Sequence, residues 1–286
     1  MINNVRTSSP ETGVSQTLRD YFGGMAKGPT YLAEAEFGLR QILPFLANLP
    51  EDAKVLEVGS GPCILLSEIA ERFPHLKVQG IEPMSDGFAF FQDFVGEMRT
   101  ARPGMNVYLG GYESFSSGDT WDLIFLVNVF EHLPDWRHFL SFAHRSLAPQ
   151  GSCVVLCPNY GFPYESHFKL PVFWNKRITG AFFRGRIDRF ERTNDNVGLY
   201  RSLNFVRLSQ VRRAARDRGL NVQVDTGVIR EMIDRLDMDP AFRERQKPLV
   251  LPARFLKVSG VLDWMLRAPL VQNYLPYMKL VFRKEA

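Results

Sequence analysis

The sequence predicts an α/β protein, a doubly wound parallel sheet with helices on both faces. Three observations predict it. Between residues 54 and 157, short apolar runs rich in Val, Leu and Ile alternate with segments whose apolar residues recur at helical spacing. The first apolar run stops abruptly on a glycine-rich turn, Gly59-Ser60-Gly61. The run WDLIFLV at 121–127 is almost wholly apolar, as a parallel strand buried on both faces must be.

Taken in order, a helix is expected over about 31–46, then a strand at 54–58 (KVLEV) closed by the glycine turn. Ile64, Leu65, Ile69 and Phe73 follow at helical spacing until Pro74, and KVQGI at 77–81 reads as the second strand. Ser85-Asp86-Gly87 precedes an apolar-periodic helix to about residue 99, and a weaker strand lies at 107–109. After the central strand at 121–127 comes a helix over about 136–147, with Pro149 and Gly151 as its stop, and a fifth strand at 153–157. In the last third, NVQVD at 221–225 alternates as a strand, YMKLVFR at 277–283 follows Pro276 as another, and a helix is expected over 205–218, ending at Gly219. Residues 1–50 read as an N-terminal helical cap and 51–286 as the main domain. That domain carries insertions at about 158–204 and 226–275, both on the ligand side of the sheet.

Composition narrows the class. With 45% apolar and 23% charged residues the chain carries enough apolar surface to fold, and it shows no fixed-period repeat. Three cysteines give no disulfide framework, no CxxC or HxxxH spacing offers a metal site, and no metal is expected. A reducing, cytoplasmic setting fits best. The N-terminus lacks a secretory apolar core, and no window approaches the roughly 20 apolar residues of a membrane span. Contact with the inner membrane surface stays open.

The net charge of +4 conceals a strong asymmetry. Residues 1–168 carry 11 basic and 19 acidic side chains, whereas residues 169–218 carry 13 basic and 4 acidic. The basic segment implies either an anionic partner (nucleic acid, a phosphorylated substrate or anionic lipid) or a solvated face answering the acidic body. No base-stacking or nucleic-acid motif accompanies it, so nucleic acid is the weakest of these.

The glycine turn and the carboxylates around it carry the chemistry. Gly59 and Gly61 permit close approach of the backbone to a ligand, at a helix N-terminus whose amides attract polar groups. Glu82 falls 21 residues after Gly61 at the end of the second strand, where a carboxylate accepts both hydroxyls of a ribose. The third glycine of a dinucleotide site is missing, and Glu57 beside the turn would repel a diphosphate. A cofactor with an amino group and a sulfonium tolerates that carboxylate.

These residues resemble the class I S-adenosylmethionine-dependent methyltransferases, in their small-molecule or glycan-type branch. The resemblance rests on VLEVGSGP at 55–62, GIEP at 80–83, WDLIFLVNVFEHL at 121–133 and LAPQGSCVVLCPN at 147–159. It implies a Rossmann-like seven-stranded methyltransferase sheet with a reversed C-terminal hairpin strand and helical insertions. It also implies S-adenosyl-L-methionine as cofactor. Glu57 and the backbone of Gly59, Ser60 and Gly61 would hold the methionyl part, Glu82 the ribose, and Met84 would flank the adenine. Asn128 and Val129 would line the wall after the fourth strand. The family often places an acidic residue after the third strand to accept from the adenine amine. Gly111 stands there, with Tyr112 and Glu113 as neighbours able to take over.

The acceptor would be a small molecule or glycan, with phosphorylated and lipid-linked forms open, methylated most readily on oxygen. A hydroxyl needs a base. His132 lies just after the fourth strand and either serves as that base or shapes the turn. In the loop after the fifth strand, Tyr160, Glu165 and His167 form a cluster suited to orient and deprotonate a hydroxyl, with a packing role for His167 as the alternative. Trp174, Ile178, Ala181 and Phe182 make an apolar stripe on a basic helix, expected either to pack as a lid or to lie on anionic lipid. The stripe of Val258, Val261, Leu262, Met265 and Leu266 is expected in the core of the later insertion. The rival function is a binding or scaffold protein that kept the fold and lost the reaction; the intact Glu57, Gly59, Gly61 and Glu82 speak against it.

Overall fold

The computed structural model describes residues 13–25, 27–83, 95–96 and 105–285. Most of the helix expected over 85–99, and Met84, lie outside the described residues. Seven strands form one sheet: β1 (Lys54–Val58), β2 (Lys77–Glu82), β3 (Asn106–Leu109), β4 (Trp121–Val127), β5 (Leu147–Pro158), β8 (Leu220–Asp225) and β9 (Tyr277–Lys284). Two short strands, β6 (Tyr164–Glu165) and β7 (Leu170–Pro171), make a separate hairpin.

The spatial order is β3-β2-β1-β4-β5-β9-β8, parallel from β3 to β5, with β9 antiparallel to both of its neighbours. The reversed C-terminal strand thus arises as the sequence implies. Strand order reverses beside β1, between β2 and β4, and at such a point the carboxyl ends of the strands splay apart and leave a crevice.

Period-two alternation builds the core on both faces. In β4, Leu123 and Phe125 join one apolar cluster with Leu39, Ile42 and Ile64, while Ile124 and Leu126 join the other with Phe139, Leu140 and Leu208. All four β4 side chains are buried, and each stabilises the fold by about 1.5 to 3 kcal/mol. This two-sided burial is why the strand reads as a continuous apolar run.

Several boundaries differ from the sequence reading, each for a local reason. A first helix, Gln16–Gly23, precedes the expected one, which runs Gly28–Leu46. The helix after β4 spans Trp136–Ser146, with the Asp135 side chain accepting from the Arg137 and His138 amides as its N-cap. Pro149 and Gly151 do not lie in a loop but within β5, where the pairing register shifts between Trp121 and Leu123. A Cβ on Gly151 would lie 2.6 Å from the Trp121 carbonyl oxygen, so the irregular pairing requires glycine. The helix expected from 205 begins at Leu208, because Phe205 takes a left-handed φ of 54° and stacks on Tyr160.

The basic helix Lys176–Thr193 turns over the expected stripe. Trp174 and Phe182 are 76% and 72% exposed, and the buried side chains of that helix are Thr179 and Ile187. Its contacts are made through Phe183, Ile187 and Phe190 to a small cluster with Phe168 and Leu203. In the later insertion Leu262 and Leu266 are buried as expected, but Val258 is exposed.

Candidate active site

The crevice holds a cavity of about 670 Å³, lined from below by the ends of β1, β2 and β4 and from the side by the helix Gly28–Leu46. Its floor is the glycine turn. Gly59 has φ 77° and Gly61 φ 50°, and Cys63 follows at 59°, so the backbone bends through three left-handed residues before the helix Ile64–Arg72 starts. A Cβ on Gly59 would lie 2.4 Å from the Val129 side chain. The turn therefore depends on glycine both for φ and for the close approach of Val129.

Two carboxylates face this turn. Glu82 is buried and accepts from the Gly61 amide through Oε2 at 2.7 Å. Glu57 is buried, and its Oε2 has no hydrogen-bond partner. Burial, and then the Glu82 charge, pushes the Glu57 carboxyl well above its ordinary range. A buried carboxylate oxygen without a donor, at the wall of a cavity, fits a ligand that brings an ammonium group.

Opposite the turn, Asn128 (φ 55°) accepts from the Tyr277 hydroxyl at 2.7 Å and donates through Nδ2 to Glu34 at 3.1 Å. Glu34 is in turn bound by Arg235 at 3.1 Å and Arg245 at 2.5 Å. Burial would raise the Glu34 carboxyl, but the two guanidinium charges outweigh it and hold the carboxyl below its ordinary value. This network joins the N-terminal helix, β4, β9 and the later insertion around one wall residue. Sequence reading missed Glu34, Arg235 and Arg245, and no local signal could have found them, since about 200 residues separate Glu34 from the two arginines.

The residues expected at the adenine divide in their surroundings. Tyr112 lines the cavity, but its hydroxyl donates to the Asp135 carbonyl at 2.8 Å and its ring packs among Phe139 and Phe142. Its side-chain donor is thus already used. Glu113 lines the cavity and is exposed, leaving its carboxylate as the group there able to accept from an amine. Ser60 and Val129 line the cavity too.

At the other end, the structure brings His132 and His167 together, with ring centroids 5.7 Å apart. His132 lines the cavity, and its Nδ1 lies 2.8 Å from Ser202 Oγ. The Ser202 hydroxyl donates to the Leu199 carbonyl at 2.8 Å, so Ser202 accepts the Nδ1 proton of His132 and the ring's lone pair falls on Nε2. His167 Nδ1 lies 2.6 Å from Glu165 Oε1. Glu165, fully buried, also accepts from the His167 and Phe168 amides. Burial would raise the Glu165 carboxyl, but His167 and these donors hold it below its usual range.

Burial, with the neighbouring charges of His167 and Lys176, drives His132 well below the usual imidazole range. Burial works in the same direction on His167, but the Glu165 carboxylate and then Glu131 raise it above that range. Tyr160, expected in the same cluster, stacks on Phe205 at 4.2 Å and its hydroxyl is 3.5 Å from Glu165, so it packs behind the histidine and does not line the cavity. Glu131, which the sequence reading passed over, is fully buried beside the histidines.

Of the basic residues between 169 and 218, Arg201 lines the cavity. Arg184, Arg186, Arg189 and Arg192 are exposed on the helix Lys176–Thr193 and do not.

A seven-stranded sheet with one reversed strand next to its edge, and at its switch point a pocket carrying a glycine turn and two buried carboxylates, is the architecture of the class I S-adenosylmethionine-dependent methyltransferases. Residues 31–223 match the family described as Methyltransferase domain, and the chain belongs to that family. It is 35% identical over 225 residues to an uncharacterized protein of Mycobacterium tuberculosis (strain H37Rv), covering 77% of this chain and 75% of that one. It is 28% identical over 155 residues to trans-aconitate 2-methyltransferase of Azoarcus sp. (strain BH72), covering 53% of this chain and 58% of the relative. In structure it is similar to mycolic acid cyclopropane synthase complexed with S-adenosylhomocysteine. The TM-score is 0.52 at 18% identity, over 88% of this chain and 85% of the other. The protein is an S-adenosylmethionine-dependent methyltransferase. No helix among the described residues is long and apolar enough to cross a membrane.

Proposed function

We propose that the enzyme methylates a hydroxyl oxygen of a small-molecule or glycan-type acceptor. The observation that carries this reading is His132, which lines the cavity with its Nδ1 proton given to Ser202, together with His167, whose ring stands 5.7 Å from it and is held by Glu165. An amine or carboxylate acceptor needs no such pair, whereas a hydroxyl must lose a proton as it is methylated.

S-Adenosylmethionine, when bound, supplies an electrophilic methyl group on a sulfonium. Glu57 would hold its ammonium and Glu82 its ribose hydroxyls, while Asn128, Val129 and the glycine turn shape the wall between. Transfer is an in-line displacement, so the chain's main task is alignment. The acceptor hydroxyl would sit against His132, the protein's own group at the cavity suited to take its proton, with the His167 ring beside it. Glu165 and Ser202 are positioning residues: they fix the tautomer and orientation of the two rings.

Arg201 at the cavity wall supports an acceptor with negative charge, a phosphorylated one included. The exposed Trp174 and Phe182, beside Arg177 and Arg184 on the basic helix, support a lipid-linked acceptor approached at a membrane surface. Mass spectrometry of a cell extract incubated with the protein and methyl-labelled cofactor tests the reading directly. The expected product is a methyl ether, and a methyl ester, or a label found only on nitrogen or carbon, overturns it.

A further inference from the structure

Among the described residues, one group of three ligating side chains converges. One ligand atom from each of Glu131, His132 and His167 lies within 4.8 Å of the other two. The geometry points to a site for a divalent transition-metal ion held by these three residues, and we propose that this ion, bound at the acceptor end of the cavity, takes an oxygen of the acceptor as a further ligand.

Four observations carry the inference. First, Glu131 is fully buried and both of its carboxylate oxygens have no hydrogen-bond partner. An ion at this point would give both of these oxygens a partner. Second, the two histidines present the right atoms. Ser202 accepts the Nδ1 proton of His132, whose Nε2 lies 4.0 Å from Glu131 Oε1, and Glu165 engages Nδ1 of His167, so that an ion would take the place of a proton on the far nitrogen of that ring.

Third, the groups behind the rings are those that support metal-bound histidines. A carboxylate on the far nitrogen of His167 and a hydroxyl on that of His132 orient each ring and raise its basicity. Fourth, one of the three ligands meets the cavity: His132 lines it, with Ser202 beside it, so an acceptor oxygen would reach the ion past the His132 ring.

Two imidazoles and one carboxylate form a donor set of intermediate softness, suited to zinc and its first-row neighbours rather than to magnesium or calcium, which prefer oxygen. Three protein ligands with an open position is the pattern of a reactive rather than a structural site. Bonds of about 2.0 to 2.2 Å need these ligand atoms closer together than they stand here, so the side chains must shift when the ion binds.

The inference deepens the hydroxyl reading and rests on it for the acceptor's orientation. With the ion bound, the histidines are ligands. The acceptor hydroxyl is then acidified by coordination and its proton passes to solvent, in place of direct transfer to Nε2. The oxygen's electron pair forms the new C–O bond, and the C–S bond breaks with its pair going to sulfur. The ion undergoes no redox change.

The test needs no acceptor. The full chain, stripped with a chelator, is titrated with Co²⁺ and followed by visible absorption, then with Zn²⁺ in competition. One equivalent of Co²⁺ with a nitrogen- and oxygen-ligated visible band, displaced by Zn²⁺, is expected. Glu131→Gln, His132→Gln and His167→Gln should each abolish the band. Glu165→Gln, one shell out, should weaken binding about 10- to 100-fold without removing the band.

S-Adenosylhomocysteine binding, retained in every variant, shows that the chain is folded and that the cofactor site is separate. A wild type that gives no band, or a band unchanged in all three ligand variants, overturns the metal site. A drop in kcat for His167→Gln without any metal binding also overturns it and leaves the histidines as direct bases. Conversely, a site that binds the ion while the labelled product carries its methyl on nitrogen removes the hydroxyl reading alone.

Discussion

The Gly61 amide donates to Glu82 Oε2 at 2.7 Å, so the carboxylate at the end of β2 is oriented by the glycine turn at the end of β1. The two sequence features that point to an adenosine-bearing cofactor are one structural unit. The parallel pairing of β1 with β2, with Val58 opposite Ile81, sets their ends level, and the left-handed Gly61 aims its amide across the gap. A ribose bound here would meet a carboxylate already oriented by the turn.

Glu82→Ala should therefore weaken S-adenosylhomocysteine binding by about 1 to 3 kcal/mol, through loss of charge-assisted hydrogen bonds to the ribose. Calorimetry measures it. Affinity equal to wild type would remove Glu82 from the ribose site.

Glu57 predicts a proton linkage. Burial and then the Glu82 charge raise its carboxyl well above the ordinary value, so in the ligand-free chain it holds a proton over part of the range where a free carboxyl is ionised. An ammonium set against Oε2 favours the charged form. Binding should then release a proton, and cofactor affinity should rise as pH increases through the raised pKa. For stability the sign is opposite. A raised folded pKa gives a contribution that is complete below the unfolded pKa and is lost as pH rises through the folded one. Glu57→Gln should flatten both dependences, stabilise the ligand-free chain at neutral pH and weaken the cofactor by about 1.5 to 3 kcal/mol. Calorimetry in buffers of different ionisation enthalpy reads the released proton, and no difference between wild type and Glu57→Gln would exclude the linkage.

The cofactor end of this site was legible in the sequence because its parts are local: a turn, a strand end, and an acidic residue one βα unit later. The sheet was legible for a related reason, since burial on both faces imposes unbroken apolar runs. The acceptor end was legible only in pieces. His132, Glu165 and His167 could be named, but Glu131 lies next to a histidine in a short 3₁₀ turn, Phe130–His132, where nothing in the sequence shows that its side chain is buried without a donor. Glu34 with Arg235 and Arg245 depends on packing between distant helices. For the helix Lys176–Thr193 the lid alternative turned the Trp174–Phe182 line inward, whereas that line is exposed, and the lipid alternative stands untested. The helix interior breaks from helical geometry at Phe183, which shifts the buried face from the Trp174–Phe182 line to Thr179 and Ile187.

The Glu34–Arg235 pair predicts an effect on both stability and the site. Arg235 is 5% exposed, and its guanidinium also lies over the Phe37 and Phe242 rings. Arg235→Ala leaves the half-buried Glu34 to Arg245 alone, and the loss should stay below the roughly 3 to 5 kcal/mol of a fully buried charge without a partner. The Asn128 wall should loosen with it. Chemical denaturation and cofactor titration of the same variant check the two effects, and a loss under about 1 kcal/mol would show the pair to be energetically idle.

His167→Gln should lower kcat by roughly 10²- to 10⁴-fold with little change in cofactor affinity, because it removes a group that acts on the acceptor and leaves the adenosine pocket intact. Glu165→Gln should lower kcat by less, since the ring remains. Near-normal turnover in both variants would point to an acceptor that needs no activation.

The exposed face of the basic helix separates a lid from a membrane surface. Ile187 is buried and Phe182 is not, so Ile187→Ala should cost about 2 to 5 kcal/mol while Phe182→Ser stays within about 0.5 kcal/mol of wild type. If Phe182 and Trp174 meet lipid, Phe182→Ser should reduce co-sedimentation with vesicles containing an anionic phospholipid, and added salt should reduce it further. The basic side chains around them are exposed, and their attraction is screened over about 8 Å at physiological ionic strength. A Phe182→Ser chain as destabilised as Ile187→Ala would show instead that Phe182 is covered and that the helix is a packed lid. A stable variant with unchanged sedimentation would remove the lipid contact, leaving Arg201 as the charged group through which this segment meets the acceptor.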